Sequence, residues 1–273
     1  MNVTAVAFPI APDPPVIITI FPFIVNSFYE IDNIKVIEEE IINQIYPDGG
    51  HVSRNPRNQM EVLNNLLEVR LALEAAHYKI PNWLKGSGKG WLTAEYSMLP
   101  ASTHTRNNRE SAQGKQSGRT LEIQRLIGRS LRASLDLKKL QELQIKIDCD
   151  VINADGGTRT ASITGGWVVL KMLVESLIKN KTLKKNPIKD QVAAISCGIF
   201  KGEEILDLDY FEDSNTEIDA NFVVSKSKNL IEIQATAEKG GFTKTQLNTL
   251  IDMACKECDN LFKVQSKVIK NEK

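Results

Sequence analysis

Residues 143–152 alternate apolar and polar side chains, which is the pattern of a strand with one buried face. The stretch DGGTRTASITG, residues 155–165, follows at once and leads into a long apolar helical pattern over 162–178. Glycines at such a junction let the backbone turn tightly, and the first N–H groups of the helix have no helical partner. With the hydroxyl of Thr158 and the guanidinium of Arg159 beside them, they favour a bound phosphate. A glycine turn with a helix cap is the alternative, since neither a Walker A loop nor a GxGxxG pattern is present.

Three zones differ along the chain. Residues 1–30 are apolar and broken by prolines, and they are interpreted as strand pieces or as a poorly ordered arm. Residues 31–82 have helical periodicity, interrupted by PDGGHVSRNPRN. From residue 83 onward, strands are predicted at 91–99, 143–152, 192–200, 204–210, 219–224 and 230–236, and helices at 121–135, 162–178 and 244–268. This order predicts an α+β fold, with helices on one face of a mixed sheet.

Basic residues concentrate between positions 106 and 132. The chain has 273 residues with 34 Lys+Arg and 34 Asp+Glu, and this zero net charge excludes nucleic-acid binding by bulk charge but not by a local basic face. The residues concerned are Arg106, Arg109, Lys115 and Arg119 in polar, loop-like sequence, and Arg125, Arg129 and Arg132 on one helix face. Guanidinium groups match phosphate oxygens, so a polyanion site is favoured. A solvated helix face paired with Glu122 is the alternative.

Acidic residues form a second group between positions 207 and 219. Asp213 and Asp219 flank a predicted turn that would bring the two carboxylates together. Oxygen ligands suit Mg²⁺, although surface acids on a hairpin are the simpler interpretation of this stretch. Taken together, a phosphate site, arginines and paired carboxylates indicate phosphoryl chemistry on a polyanion.

Two further features bear on the cellular location. The cysteines Cys149, Cys197, Cys255 and Cys258 fall within strand and helix patterns, and the Cys255–Cys258 spacing lacks the second pair of a zinc site. They are predicted to be packing residues of a cytosolic protein. The apolar run 16–25 is too short to cross a membrane, and no basic residue precedes Lys35 to begin a secretory signal. We therefore expect a cytoplasmic protein without a membrane partner.

Four long motifs from about residue 83 to about residue 268 resemble the ribonuclease PH family: WLKGSGKGWLTAEYSMLP, THTRNNRESAQGKQSGRTLEIQRLIGRSLRA, IDCDVINADGGTRTASITG and LDLDYFEDSNTEIDANFV. The resemblance implies a fold like that of domain 2 of ribosomal protein S5. It implies a phosphate-dependent 3′-to-5′ exoribonuclease that trims the 3′ ends of tRNA precursors and other RNA. Inorganic phosphate would attack the last phosphodiester and release a nucleoside diphosphate, with Mg²⁺ as cofactor. The partners implied are RNA and further copies of the chain in a homo-oligomeric ring, usually a hexamer.

The resemblance also implies roles for individual residues. The attacking phosphate would be held by Arg119, Gly157, Thr158 and Arg159. Asp213 and Asp219 would be the catalytic and metal-binding carboxylates, and Arg106 and Arg109 would guide the RNA.

The sequence departs from the family in two places. Ala101 stands where the family has the first RNA-guiding arginine. The family's opening segment, with Arg-x-Asp-Gly-Arg and the first strands, is not recognisable, and residues 31–82, notably YPDGGHVSRNPRNQMEVLNNLLEVRLALEA, resemble a fragment of a bacterial heparinase II/III-like protein. No activity is inferred from that fragment. The expected organisation is an apolar arm at 1–30, a foreign helical segment at 31–82 and a ribonuclease PH-like domain at 83–273 that lacks its first strands.

Three hypotheses about function follow. The first is an active phosphate-dependent exoribonuclease, which the retained Arg119, Arg159, Asp213 and Asp219 favour. The second is a catalytically impaired ring subunit or an RNA-binding remnant, and the third is an unstable product of a rearranged gene. The missing opening strands favour these two alternatives.

Overall fold

The computed structural model describes residues 5–6, 17–22, 82–238 and 240–271. The predicted foreign segment, with its heparinase-like resemblance, lies outside the described residues up to position 81. The strands are β1 (Ala5–Val6), β2 (Ile17–Pro22), β3 (Trp91–Met98), β4 (Gln144–Asn153), β5 (Val192–Phe200), β6 (Glu203–Leu206), β7 (Ile218–Ser225) and β8 (Leu230–Ala237). The α-helices are α1 (Gly118–Ala133), α2 (Thr158–Lys179), α3 (Tyr210–Asn215) and α4 (Lys244–Asn271), with 3₁₀ turns at Glu110–Gln113 and Leu137–Leu140.

The strands form two four-stranded sheets rather than the one sheet expected. The first has the order β1-β2-β4-β3 and is mixed, since β3 runs parallel to β4 and β2 runs antiparallel to it. The second has the order β6-β5-β7-β8 and is antiparallel throughout. Ile17–Pro22 from the apolar arm therefore occupies the edge of β4 that faces away from β3.

The second sheet carries helices on both faces because β5 is apolar on both of its sides. Val192 and Ala194 belong to the core that contains α2, whereas Ala193, Ile195 and Cys197 belong to the core that contains α4. Helix α2 also packs on strands of the first sheet and so lies between the two sheets. By length and composition α2 passes as a membrane span, but 61% of its most apolar window is buried inside the protein, as in the core helix of a folded domain.

The strand predicted over 204–210 is shorter than expected. It ends at Leu206, because Asp207 adopts a left-handed backbone with φ of 58° and Asp209 then starts a helix. Asp209 Oδ1 accepts a hydrogen bond from Glu212 N at 2.7 Å, and Glu212 Oε2 accepts one from Asp209 N at 3.1 Å. This capping box closes the first turn of α3, so Asp213 lies on a short helix and not in a hairpin turn.

Two of the three arginines on the predicted basic face of α1 bind the protein itself. Arg129 pairs with both carboxylate oxygens of Glu232 on β8. Arg132 donates a hydrogen bond to Leu92 O at 2.8 Å and lies 4.6 Å from the ring centre of Trp91. The polyanion role favoured for Arg129 and Arg132 is therefore wrong: these guanidinium groups fasten α1 to both sheets.

The packing role predicted for the four cysteines is confirmed. Cys149, Cys197 and Cys258 are buried, Cys255 is half-buried, and all four thiols are free. Burial raises the pKa of the Cys149 thiol to about 12, which keeps it protonated and unreactive.

Gly156 provides a stability test of the junction between β4 and α2. A Cβ atom at this position would lie 1.8 Å from the backbone oxygen of Leu208, so Gly156→Ala forces the backbone apart. We expect a loss of about 1–3 kcal/mol in the free energy of unfolding, measured by urea denaturation. The control is Gly118→Ala, where a Cβ meets no atom within 4 Å. Equal denaturation midpoints for the two variants would contradict this account of the junction.

Candidate active site

A cavity of about 400 Å³ opens where α1, α2, α3 and β7 begin or meet. Six of the eight site residues expected from the sequence line it: Arg119, Gly157, Thr158, Arg159, Asp213 and Asp219. A more open groove of about 610 Å³ runs along α4 and contains none of them. The chemistry expected from the sequence therefore converges on the smaller cavity.

The N-terminus of α2 forms one wall of this cavity. Gly157 is its N-cap and has φ of 68°, a left-handed conformation that glycine adopts without strain. Thr158, the first helical residue, places its Oγ1 at 2.8 Å from the hydroxyl of Tyr96 on β3. Exposed backbone N–H groups, the helix dipole and the Thr158 hydroxyl together suit an anion such as phosphate.

Tyr96 is a contributor that the sequence analysis missed. Its side chain is only 4% exposed, and burial raises the pKa of its phenol, an effect that the Thr158 hydrogen bond and the charges of Arg119 and Arg159 oppose. The phenol stays protonated and fixes the hydroxyl of Thr158. The motif LTAEYSMLP contained this tyrosine, but only the three-dimensional pairing of β3 with the α2 junction shows its partner.

The guanidinium of Arg159 is held from two sides. Its Nη1 donates to Gln234 Oε1 on β8 at 3.2 Å and lies 3.7 Å from Glu122 Oε2 on α1. Gln234 Nε2 in turn donates to Glu122 Oε1 at 2.8 Å, so the two supporting residues are fixed to each other. Arg159 is thereby oriented before any ligand binds, which lowers the entropic cost of binding an anion.

Two carboxylates lie on the wall formed by α3 and β7. Burial raises the pKa of Asp219, the charge of Asp213 raises it further, and the charges of Arg159 and Arg119 oppose the rise. Asn221 Nδ2 donates to Asp219 Oδ1 at 3.4 Å. Two repelling carboxylates with oxygen donors fit a divalent cation such as Mg²⁺. The described residues hold no cluster of three or more potential metal-binding side chains, so the remaining ligands would be water and substrate oxygens.

Asp155 connects the two walls and was also missed. Its Oδ1 accepts hydrogen bonds from Gly156 N at 3.0 Å and from Tyr210 N at 2.7 Å. The first contact belongs to the α2 junction and the second to the first residue of α3. Asp155 therefore fixes the helix that carries Asp213 relative to the helix that begins at Thr158.

The two remaining expected residues do not line the cavity. Arg106 and Arg109 are exposed on the segment between β3 and the first 3₁₀ turn, although the neighbours of Arg106, Thr105 and Asn107, do line it. The charge of Arg109 opposes the rise that burial causes in the pKa of Asp150 on β4. Both arginines are therefore exposed on a segment that contributes other residues to the cavity wall.

The cavity has other lining residues to which the sequence analysis assigned no role, namely Met98, Thr103, His104, Ala154, Ser196, Tyr210 and Asn221. Ser196 lies in the apolar run of β5, and its Oγ accepts a hydrogen bond from Leu208 N at 3.2 Å. A hydroxyl within an otherwise apolar strand was the one signal available for it in the sequence.

The pH dependence of stability tests the electrostatics of this wall. Because folding raises the pKa of Asp219, its ionised carboxylate destabilises the folded state above that raised pKa, and the penalty disappears below the ordinary value near 4. We expect Asp219→Asn to raise the melting temperature by a few degrees at pH 7.5, and the gain to shrink as the pH falls towards 4.5. Circular dichroism measures both. The exposed Asp252→Asn is the control, and a gain that grows on acidification would contradict the account.

Comparison with known protein families gives two adjoining matches. A model described as 3′ exoribonuclease family, domain 1, matches residues 71–173, and one described as 3′ exoribonuclease family, domain 2, matches residues 190–257. The first match begins inside the segment that was expected to be foreign. Among curated proteins, ribonuclease PH from two strains of Caulobacter vibrioides, NA1000 / CB15N and ATCC 19089, is 56% identical over 190 residues, which is 70% of this chain and 80% of that protein.

Two solved structures share the fold at low sequence identity. Rrp46 from rice, Oryza sativa, superimposes with a TM-score of 0.53 at 17% identity, over 68% of this chain and 77% of that one. A chain of the Archaeoglobus fulgidus exosome with RNA bound to its active site gives a TM-score of 0.52 at 16% identity, over 66% and 72%.

Proposed function

The chain belongs to the ribonuclease PH family and is a phosphorolytic 3′ exoribonuclease, and we propose that its cavity holds the attacking phosphate beside the last phosphodiester of an RNA. The observation that carries this proposal is the convergence of six side chains and backbone groups in one cavity. Arg119, Gly157, Thr158 and Arg159 line the cavity together with Asp213 and Asp219.

The proposed reaction begins with phosphate at the N-terminus of α2, where Arg119 and Arg159 neutralise its charge and Thr158 donates a hydrogen bond. One phosphate oxygen attacks the phosphorus of the terminal phosphodiester. The bond from that phosphorus to the 3′ oxygen of the preceding nucleotide breaks, and this oxygen takes up the proton that the attacking hydrogen phosphate gives up, so that it remains as the hydroxyl of the new RNA end. The released product is a nucleoside diphosphate, which consists of the terminal nucleotide and the attacking phosphate.

Asp213 and Asp219 are the proposed ligands of Mg²⁺. The ion, when bound, supplies positive charge to the phosphoryl oxygens. Burial raises the pKa of Asp219 and the charge of Asp213 raises it further, and a cation between the two carboxylates would favour their ionised forms.

The proposal extends to the RNA substrate, the oligomeric state and the cellular location. Arg106 and Arg109, which are exposed on the segment that also carries the lining residues Thr105 and Asn107, would guide the RNA backbone, and 3′-extended tRNA precursors are the proposed substrates. The chain would work as a homo-oligomeric ring, with a hexamer as the proposed form, in the cytoplasm. The related archaeal structure is of an exosome with RNA bound, which supports RNA as the substrate.

Two observations bear on the alternative of an impaired ring subunit or RNA-binding remnant. Ala101 still stands in place of an RNA-guiding arginine, which favours the alternative. The pairing of Ile17–Pro22 with β4 favours activity, because this edge of β4 is not left open. The domain boundaries at 30 and 82, and the origin of the segment between them, remain predictions.

An activity assay decides between these functions. Purified protein is incubated with a 3′-extended tRNA and Mg²⁺, with and without phosphate. We expect phosphate-dependent release of nucleoside diphosphates, with kcat/KM lowered by about 10²-fold or more in Arg119→Ala, because a charge at the reacting phosphates is lost. The control is Arg125→Ala, an exposed arginine on the same helix that does not line the cavity. Equal losses in the two variants would contradict the proposed site, and RNA binding without release would support the alternative function.

The support of Arg159 makes a separate prediction. Gln234→Ala removes the amide that bonds both Arg159 and Glu122, so the guanidinium loses its fixed orientation. We expect the KM for phosphate to rise by about 10-fold while the KM for RNA changes little, measured by steady-state kinetics with each substrate varied in turn. Gln113→Ala, at an exposed position outside the cavity, serves as the control. A rise in the KM for RNA alone would contradict the role given to Gln234.

A further inference from the structure

An exposed aromatic side chain lines the cavity that contains the carboxylates of Asp213 and Asp219. Tyr210 is 59% exposed, lines the cavity, and has its ring centre 6.4 Å from that of His104, with 65° between the ring planes. We propose that Tyr210 is the stacking platform for the base of the 3′-terminal nucleotide of bound RNA, with His104 bracing its ring. This inference rests on the proposed function and adds to it a subsite for the base.

The backbone around Tyr210 is well fixed. Its N–H donates to Asp155 Oδ1 at 2.7 Å, and the capping box of Asp209 and Glu212 closes the turn that it begins. The ring therefore projects from a fixed backbone, and only its side-chain torsions are ordered when it contacts a ligand.

The distance between Tyr210 and the carboxylate of Asp213 suits the distance between the base and the phosphate of one nucleotide. Tyr210 and Asp213 are three positions apart on α3, so their Cβ atoms are about 5–6 Å apart and their side chains share one face. Both side chains line the same cavity. A phosphodiester at Asp213 and Asp219 therefore leaves the attached base within reach of the Tyr210 ring.

Stacking also matches what an exoribonuclease requires of this subsite. The enzyme removes each nucleotide in turn, so the contact with the terminal base has to accept all four bases. Stacking on an aromatic ring meets this requirement because every base has a π face, whereas hydrogen bonds to base edges would select among them. The edge-on contact with His104 covers at most one face of the Tyr210 ring.

The next residue offers a matched control. Phe211 is similarly exposed, at 62%, but it does not line the cavity, and its ring packs edge-on against Phe200 with 6.0 Å between the ring centres. Exposure of an aromatic ring on α3 is thus shared by both residues, and access to the cavity is particular to Tyr210.

The test measures RNA binding without phosphate, so that phosphorolysis cannot occur. Fluorescence anisotropy compares two 5′-labelled oligoribonucleotides, one with an ordinary 3′-terminal nucleotide and one whose terminal ribose carries no base. We expect Tyr210→Ala to weaken binding of the first by about 10-fold and to leave the second unchanged. Tyr210→Phe should keep the affinity for both, since the ring and not the hydroxyl makes the contact. Phe211→Ala should leave both affinities unchanged.

Three outcomes would overturn the proposal. In the first, Tyr210→Ala weakens the binding of both RNAs equally. In the second, Tyr210→Phe loses as much affinity as Tyr210→Ala. In the third, Phe211→Ala weakens binding of the RNA with the terminal base and leaves binding of the other RNA unchanged. Circular dichroism of each variant excludes unfolding as the cause. Phosphate-dependent release by the wild-type protein is measured separately, so a failure of the proposed function and a failure of the stacking subsite are distinguished.

Discussion

The close contact between the turn at Asp155–Gly156 and the chain at Leu208–Tyr210 is the constraint on which the site depends. The absence of a side chain at Gly156 lets the two backbones meet, and the Asp155 carboxylate then bonds one amide from each. One of these segments starts α2 and the other starts α3. As a result, the N-terminus of α2, where phosphate is proposed to bind, and the carboxylate-bearing helix α3 are held at a fixed separation by the backbone itself.

The electrostatics of the cavity follow from this arrangement. Arg119 and Arg159 bring positive charge to the same cavity in which Asp213 and Asp219 repel each other. Asp219 is partly buried, and its pKa responds to the charges of Asp213 and of both arginines. The folded protein therefore keeps a charge arrangement that is unfavourable for its own stability. A phosphate bound between the arginines would neutralise their positive charge, and a cation bound between the carboxylates would neutralise their repulsion. The same charges that lower the stability of the free protein would therefore favour binding of these ligands.

Much of this site could be predicted from the sequence, because its main motif is local. The alternation over 143–152, the glycines that follow and the helical pattern after them predicted the strand, the turn and the helix, although the helix begins at Thr158 and not at the predicted position 162. The resemblance to a family supplied the remaining members, and six of the eight expected residues line one cavity. What failed was non-local: Glu122 and Gln234 are 112 positions apart, and they meet only because α1 packs beside β8. Arg129 and Arg132 had the spacing of a basic face, but their acceptors, Glu232 and Leu92, lie on strands far away in the sequence.

The central claim is that one inorganic phosphate binds at the start of α2 between the two arginines, and direct titration tests it. Phosphorus NMR of phosphate titrated with the protein, in the absence of RNA, reports this binding without catalysis. The account predicts one saturable site per chain that is lost in Arg159→Ala and retained in Arg125→Ala. Equal phosphate binding by the wild-type protein and Arg159→Ala would contradict it.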